Sequence, residues 1–409
     1  MDRVILHCDL NNFYASVEVI KNPSLRGKAI AVCGDPEMRH GIVLAKSEVA
    51  KKAGVKTGMP IWQAKQLCPD IIIVTPHHND YSRYSKIVQG VYYRYTDLVE
   101  PFGGDECWLD ITGIQQLKHM TPKQIADEIR KVIRDEIGLS ISVGVSWNKT
   151  FAKLGSDMKK PDATTVISRE NYHDVIYNLP VADMLFVGRK TALVLNRMNI
   201  LTIGDLASAD ADILKTQFGK NATQMVKTAR GDDDEAVKAF HHKREIKSVG
   251  NGTTPPRDLV LLGEIDQVLY ALCEEVSSRM RRKGVKGTTI HLSIRDEKLK
   301  WSGQQTTIQE PTNSCTTIHR VALGIFTAFW GSVDFPSVRS LRVAVSSLTR
   351  DYTSQMSFLD VHNEKQNDKI SNTFDVIRKK YGSGSIMYGT GINGEFKIDI
   401  EVQDEPMAF

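Results

Sequence analysis

The sequence has no long hydrophobic run, few cysteines and almost no net charge. No apolar stretch approaches the ~20 residues that a membrane span needs, and Asp9 comes too early for a secretory signal. The six cysteines are scattered without a Cys-x-x-Cys pair, which is typical of reduced thiols and argues against a disulfide framework. We therefore expect a cytoplasmic protein that has no membrane partner.

Length and charge indicate several domains with different partners. The chain has 409 residues, of which 41% are hydrophobic and 25% charged, so wholesale disorder is excluded. The net charge of +4 hides a gradient, because residues 241–350 hold a surplus of +6 and residues 351–409 one of −4. A basic segment of this kind is a modest indication of a polyanionic partner, and an uneven solvated surface is the alternative.

Two kinds of pattern divide the first part of the chain. Strand and helix signals are mixed over the first ~165 residues, which predicts an α+β domain with an inserted helical piece. Residues 168–236 show no clear strand, and a glycine turn at Gly188 leads into a helix. The polar clusters Gly231–Glu235 and His241–Glu245 are candidate linker residues.

The basic segment has the clearest pattern. Strand signals at 246–252, 288–295, 300–309 and 339–347 surround two helices with apolar stripes, in the order β-α-β-β-α-β of the ferredoxin-like split motif. The stripes predict core. Four basic residues at the end of the first helix exceed what the helix dipole favours, and they predict a surface that faces phosphates: Arg279, Arg281, Arg282 and Lys283.

Three acids stand out by their positions. Asp9 ends the first strand, and Asp105 and Glu106 follow the turn Gly103-Gly104 of a predicted hairpin. At a hairpin tip the backbone departs from the regular pleat, so both neighbours can flank one metal centre. Such oxygen ligands suit Mg²⁺, and two ions together support phosphoryl transfer. The alternative is that Asp9 and Asp105 are turn residues bound by backbone amides.

The context of these acids resembles the Y-family, or translesion, DNA polymerases, closest to the bacterial polymerase IV and V branches. Matching blocks include Asp9 to Glu18, Pro101 to Asp110, Ser142 to Lys149, Phe151 to Lys153 and Lys247 to Gly250. The resemblance covers about residues 1–350 in order and spacing. It implies a right-hand polymerase with a ferredoxin-like palm (1–10 and 79–167), small fingers (11–78), a helical thumb (168–236), a linker (237–244), a little finger (245–350) and a tail (351–409).

The resemblance also assigns roles to single residues. It implies that Asp9, Asp105, Glu106 and the carbonyl of Leu10 bind two Mg²⁺ ions, for which Mn²⁺ can substitute, and that Tyr14 is the steric gate against ribonucleotides. The remaining nucleotide contacts are Asn11, Asn12, Phe13, Lys51 and Lys160. For Phe13, core packing is compatible with that role. The DNA contacts are Lys153, Gly188, Arg189, Lys190, Lys247 and Ser248, together with the four basic residues named above.

Three departures from the family pattern concern the nucleotide site. Gly103 stands where Ser is usual, and Ala45 and Glu48 replace two side chains that hydrogen-bond the triphosphate. Lys51 keeps a positive charge there. These departures bear on how tightly the triphosphate is held, whereas the set of metal ligands is complete.

The acidic tail carries one more motif. Gln355, Met356, Ser357, Phe358 and Leu359 resemble the peptide that docks bacterial polymerases onto the sliding clamp. A chance pentapeptide in a linker is the alternative.

The leading hypothesis is therefore a DNA-directed DNA polymerase that extends a primer with dNTPs past damaged bases, without proofreading, as a monomer recruited to the nucleoid. The second hypothesis is a diguanylate-type cyclase, because Gly103–Glu106 resembles a cyclase signature; Cys107 and the helical insertion oppose it. The third is a non-catalytic DNA-binding relative, which the intact acids oppose.

Overall fold

The computed structural model describes residues 2–35, 39, 41–239, 245–331, 335–350, 361–382 and 385–386, with the backbone alone at 115 and 361–369. These residues form two units, which are described separately. The first contains the described residues from 2 to 34 and from 42 to 239, and the second contains those from 245 onward together with 35, 39 and 41. Within this part of the chain, no helix has the length and apolar character that crossing a membrane requires.

The first unit contains eight strands and twelve α-helices in its described residues. The strands are β1 (Ile5–Leu10), β2 (Ile30–Cys33), β3 (Val43–Lys46), β4 (Ile72–Val74), β5 (Val99–Phe102), β6 (Glu106–Asp110), β7 (Ile141–Ser146) and β8 (Thr164–Val166). The helices are α1 (Phe13–Lys21), α2 (Glu48–Lys52), α3 (Ile61–Leu67), α4 (His78–Tyr92), α5 (Ile114–Lys118), α6 (Pro122–Ile137), α7 (Lys149–Met158), α8 (Tyr172–Ile176), α9 (Arg189–Arg197), α10 (Ile203–Ser208), α11 (Ala211–Phe218) and α12 (Asn221–Arg230). Short 3-10 helices lie at Pro23–Leu25 and Val181–Asp183.

A five-stranded sheet, in the order β5-β6-β1-β7-β8, carries the predicted metal ligands. Side chains alternate between its two faces along β1. Leu6, Cys8 and Leu10 pack into the main hydrophobic core with residues of α1, α4 and α6. Ile5 packs on the opposite face with Trp108 and Ala152, and so the alternation places His7 and Asp9 on the face that α7 covers.

Glycine allows α7 to lie unusually close to this sheet. A Cβ added at Gly144 in β7 would stand 1.8 Å from the carbonyl oxygen of Ala152 and 2.5 Å from the amide nitrogen of Ser156. Gly155 of α7 meets the Cα of Gly144 in return, 3.1 Å from its own ideal Cβ position. Since Gly144 pairs with His7 in the sheet, the contact brings α7 directly over the middle of β1.

Local signals fix the other elements that the site depends on. Helix α6 begins with a capping box between Thr121 and Gln124 and ends at Gly138, whose φ of 82° is left-handed. A small sheet in the order β3-β2-β4 carries α2 and α3 and has its own apolar cluster. The predicted hairpin is present as β5 and β6, with Gly103 at φ 76° in the turn.

Residues 231–238, which follow α12, pack against other parts of the first unit. The indole N–H of Trp147 donates to the carbonyl of Gly231 at 2.8 Å, and Val237 is buried beside Ile5 and Trp108. The amide of Lys238 donates to the carboxylate of Glu100 at 2.9 Å. The cluster Gly231–Glu235, which the sequence suggests as linker, is therefore anchored on the five-stranded sheet and α7.

The second unit has the predicted order of elements. It contains β9 (Ser248–Thr253), α13 (Leu262–Arg282), β10 (Lys286–Asp296), β11 (Trp301–Thr312), α14 (Cys315–Trp330), β12 (Val338–Thr349) and α15 (Val361–Tyr381). The sheet order is β11-β10-β12-β9, with every neighbouring pair antiparallel. Each of α13 and α14 thus joins two parallel strands that a third strand separates. The α+β class and the β-α-β-β-α-β order are confirmed.

Candidate active site

The predicted metal ligands and the predicted nucleotide contacts other than Tyr14 line one cavity of about 300 Å³ in the first unit. Asp9 and Glu106 are direct neighbours across β1 and β6, and Asp105 lies in the turn before β6. The amide of Leu10 donates to the carbonyl of Asp105 at 3.0 Å, which ties the end of β1 to that turn. The cavity is lined by Asp9, Leu10, Asn11, Asn12, Phe13, Leu44, Ala45, Lys46, Glu48, Lys51, Thr57, Asp105, Glu106 and Lys160.

Burial and neighbouring charges shift the pKa values of the three carboxylates. Burial raises the pKa of Asp105 to about 6, and the neighbouring Asp9 and Glu106 contribute to the same shift. Burial also raises the pKa of Asp9, although Lys160 opposes that shift. For Glu106, burial is outweighed by His7 and Lys153, which hold its pKa below the usual range.

Two lysines bind these acids. The Nζ of Lys160 lies 2.7 Å from Asp9 and 2.8 Å from Asp157, and the Nζ of Lys153 lies 2.7 Å from Glu106. Lys160 was expected to contact a triphosphate, and it lines the cavity as that role requires. Lys153 was expected to contact DNA, whereas the structure gives its ammonium group a protein partner among the metal ligands.

The donor set fits a hard divalent cation. Asp9, Asp105, Glu106 and the Leu10 carbonyl are oxygen ligands of the kind that Mg²⁺ prefers. In the structure as it stands, no three His, Cys, Asp or Glu side chains of the described residues converge on one point. Repulsion among the acids raises the pKa of Asp105 even with both lysines in place, and added positive charge would relieve it.

Beneath the acids lies a buried histidine that the sequence patterns did not single out. The Nε2 of His7 is 3.3 Å from the carboxylate of Glu106, and its Nδ1 is 2.8 Å from the hydroxyl of Ser156. The Ser156 hydroxyl can also donate to the carbonyl of Lys153 at 2.8 Å. His7 occurs two residues before Asp9, and the period of two along a strand is the signal by which it could have been found.

The start of α1 is held by Glu48, one of the three departures. Asn12 has left-handed backbone angles (φ 50°, ψ 38°), and its side-chain amide donates to Glu48 at 2.9 Å. The Nζ of Lys51 lies 3.6 Å from the same carboxylate. Asn11 is buried, and its side-chain oxygen accepts the amide of Asp162 at 2.8 Å. Glu48 therefore positions Asn12 at the cavity wall.

Tyr14 is fixed by a stack of aromatic rings. Its ring lies parallel to that of Tyr81, with centroids 4.0 Å apart and planes at 10°. The hydroxyl of Tyr81 donates to the buried carboxylate of Glu18 at 2.5 Å, and His77 lies 2.9 Å from the same oxygen. Phe13 is 3% exposed and packs in the main core, so the core reading of this residue holds.

Predicted DNA contacts outside the cavity fall into three places. Gly188 precedes α9, and Arg189 and Lys190 are exposed in its first turn. Lys247 and Ser248 are exposed at the start of β9. A polar surface covers the sheet face opposite the two helices, since the alternate residues on the helix side form the core. It includes His291, Ser293, Arg295, Arg342 and Ser346.

The arginines at the end of α13 lie close to acids of their own unit. The guanidinium of Arg281 is 12% exposed and binds Asp375 of α15 through two nitrogens, at 2.6 and 3.0 Å. The Nε of Arg279 lies 2.6 Å from Glu275, and Arg282 reaches the same carboxylate at 4.0 Å. Arg279 and Arg281 therefore pair with acids within their own unit, and the contact of this cluster with DNA phosphates stays a prediction. Lys283 ends the helix as its C-cap.

The tail is only partly described. The clamp-like peptide Gln355–Leu359 lies outside the described residues. Of the stretch 371–393, for which no function was expected, the part up to Tyr381 continues α15. Arg378 of this helix lies 2.8 Å from Glu274 of α13, with both side chains largely buried.

The sequence matches a known protein family and named relatives. The impB/mucB/samB family profile matches residues 8–157, and the profile of the family's C-terminal domain matches residues 246–358. The chain is 43% identical to DNA polymerase IV of Acetivibrio thermocellus, over 95% of this chain and 97% of that protein. It is 36% identical to DNA polymerase IV 2 of Bacillus subtilis, over 94% of each.

The fold is also similar to a solved structure. A Y-family DNA polymerase chimera of Dbh and Dpo4 superposes with a TM-score of 0.73, at 22% identity, over 85% of this chain and 100% of that one. Both family profiles fall on the units that carry the cavity and the four-stranded sheet. The chain therefore belongs to the impB/mucB/samB family, the Y-family of DNA polymerases.

Proposed function

We propose residue roles for the template-directed synthesis past damaged bases that this Y-family DNA polymerase carries out. The observation that carries the proposal is that Asp9, Asp105 and Glu106 line one cavity at the end of β1. Y-family polymerases depend on metal ions, and we assign the metal as two Mg²⁺ ions held by these acids and the Leu10 carbonyl. When bound, such ions stabilise charge on the attacking and leaving oxygens of phosphoryl transfer.

The residues around the acids bind and orient the incoming nucleotide. Lys160, freed from Asp9 and Asp157, binds a triphosphate oxygen, and Lys51 and Lys46 add positive charge across the cavity. Asn11 and Asn12 shape the wall between these groups. Tyr14, held in its stack with Tyr81, excludes a ribose 2′-hydroxyl.

The second unit is proposed to hold the DNA duplex with its open sheet face. Phosphate contacts by Arg295, Arg342, Lys247 and Ser248 need no base recognition. The glycines Gly250 and Gly252 of β9 keep this face low, because a Cβ there would meet the side chains of Ala344 and Arg342. Start-of-helix amides at α9, with Arg189 and Lys190, bind a further backbone phosphate.

Three finer proposals concern the division into domains, a protein partner, and the oligomeric state and location of the enzyme. We keep the division into palm, fingers, thumb, little finger and tail. The peptide Gln355–Leu359 is proposed to bind the bacterial sliding clamp, and replacing Gln355 and Phe358 by Ala should abolish clamp binding without lowering distributive synthesis. The enzyme is proposed to work as a monomer at the nucleoid. The cyclase alternative is not favoured, because the family match includes the second unit.

Primer extension tests the catalytic assignment. Asp105→Asn should lose synthesis on undamaged and lesion-bearing templates with Mg²⁺ while keeping its affinity for primer–template DNA. Asp97→Asn is the matched control, since Asp97 is exposed and lies just before the same hairpin. Full activity of Asp105→Asn would refute the metal assignment.

Sugar selection tests the gate. Tyr14→Ala should raise the kcat/KM for ribonucleotides relative to deoxynucleotides, and Tyr14→Phe, which keeps the ring, should not. Unchanged selectivity in Tyr14→Ala would remove Tyr14 from this role.

A further inference from the structure

A phenylalanine lies exposed in a tight turn before α9. The amide of Val187 donates to the carbonyl of Met184 at 3.0 Å, which closes a four-residue turn with Phe186 in third place. Phe186 has a left-handed φ of 67°, and its side chain is 82% exposed. Neither the backbone nor the packing of the turn explains an aromatic residue at this position.

The conformation favours a different residue. A positive φ at the third position of a turn is the geometry that suits glycine or asparagine, since a Cβ there crowds the backbone. For a bulky residue such an angle is an outlier that costs free energy. An exposed ring recovers none of that cost through burial. Phe186 therefore carries a conformational penalty and a solvation penalty together.

The turn itself is firmly anchored. Met184 and Val187 are 3% and 7% exposed and belong to the hydrophobic cluster of the helical segment. Leu185 packs against the cluster that contains Ile5 and Trp108. With its neighbours held in two clusters, the backbone of Phe186 is anchored at the surface.

The groups around Phe186 favour a partner that carries both negative charge and apolar surface. Helix α9 starts three residues later, and Gly188 has no side chain to cap its first amides. Arg189 and Lys190 add two exposed positive charges. Amides, helix dipole and cations together attract a phosphate. In a nucleic acid backbone, the group next to each phosphate is a sugar with an apolar face.

We propose that the Phe186 ring packs on a deoxyribose of the bound primer–template duplex, beside the phosphate held at the start of α9. This inference rests on the proposed DNA contact at α9. The contact is independent of base sequence, because every nucleotide presents the same sugar. The free energy gained when DNA buries the Phe186 ring compensates for the backbone strain that is present in the free protein.

Replacing Phe186 by glycine removes the backbone strain and the exposed ring, and it also removes the proposed contact with DNA. In the full-length protein, Phe186→Gly should raise the midpoint of thermal unfolding and weaken binding of a primer–template duplex about five- to tenfold, as expected for ~50 Å² of lost apolar contact. Fluorescence anisotropy gives the Kd at several salt concentrations. The salt dependence of log Kd should keep its slope, because no phosphate contact is removed.

Two control variants sharpen the result. Phe186→Tyr keeps the ring and should bind DNA like the wild type. Asn199→Gly relieves a similar positive φ of 62° at the other end of α9 without removing an aromatic ring, and should leave the Kd unchanged.

An unchanged Kd in Phe186→Gly would overturn the inference, and so would a loss of affinity that is accompanied by a smaller salt slope. Retained DNA affinity with loss of binding to another protein or to a second copy would assign the ring to that partner and overturn it as well. If the wild type itself neither bound nor extended a primer–template, the proposed function would fail instead.

Discussion

Gly144→Ala tests whether the close approach of α7 to the sheet supports catalysis. The added Cβ would stand 1.8 Å from the Ala152 carbonyl oxygen, whereas ordinary contacts begin at 3.4 Å, so α7 would have to retreat by about 1.6 Å. Overpacking of this kind costs about 1–3 kcal/mol of stability or more. The same retreat moves Lys153 and Ser156 away from Glu106 and His7.

The same displacement should also lower the rate of catalysis. A misplacement of about 1 Å in a catalytic array can lower the rate about 100-fold. We therefore expect kcat for single-nucleotide insertion to fall by about two orders of magnitude, while the Kd for primer–template DNA stays near the wild-type value. Rapid-quench kinetics and thermal unfolding measure the two quantities.

Gly90→Ala is the matched control, because Gly90 lies exposed in α4 and its added Cβ would meet nothing within 4 Å. It should be neutral or stabilise by up to about 1 kcal/mol, as expected for alanine in a helix interior. Wild-type stability and kcat in Gly144→Ala would refute the reasoning.

Three further predictions concern buried charges. Glu18→Gln should weaken the hydrogen bond from Tyr81, loosen the stack on Tyr14 and raise ribonucleotide insertion several-fold, which competition kinetics would measure; unchanged sugar selection would contradict it. Arg378→Ala leaves Glu274 buried without its partner, 2.8 Å away in the wild type, and should cost about 3–5 kcal/mol in the stability of α15 on α13, seen as faster hydrogen exchange in α15. Although burial alone would raise the Glu100 pKa, Lys149 and the amide of Lys238 hold it below its usual value of 4.5. The contribution of ionised Glu100 to stability is thus present above pH 4.5 and is lost as the pH falls through the lower pKa of the folded protein. Hydrogen exchange of the Lys238 amide, measured against pH, should accelerate in that acid range. Exchange that does not change with acid would contradict the role of Glu100 in holding this amide.

The sequence predicts those parts of the structure that depend on neighbouring residues. The order of elements in the second unit follows from local apolar periodicity, and the hairpin before Glu106 follows from its two glycines. Asp9, Asp105, Glu106 and Lys160 line one cavity, as their motif positions implied.

Contacts between distant residues could not be predicted in this way. Asp375 is 94 residues from Arg281, and no local pattern shows that the two form an ion pair. The expected DNA contact of Lys153 comes from its place in a family motif, and its ion pair with Glu106, 47 residues away, cannot be read from the sequence. The strain at Phe186 is likewise a property of backbone angles, which residue type alone does not reveal.

The alternation of side chains between the two faces of β1 limits the kinds of mutation that this strand can accept. Cys8 and Leu10 fill the core on one face, while His7 and Asp9 serve the opposite face. A one-residue insertion or deletion within Ile5–Leu10 would exchange the two sets, sending a carboxylate into the core and a leucine into the cavity. Substitutions can accumulate in this strand one at a time, but a single-codon change in its length would remove fold and activity together.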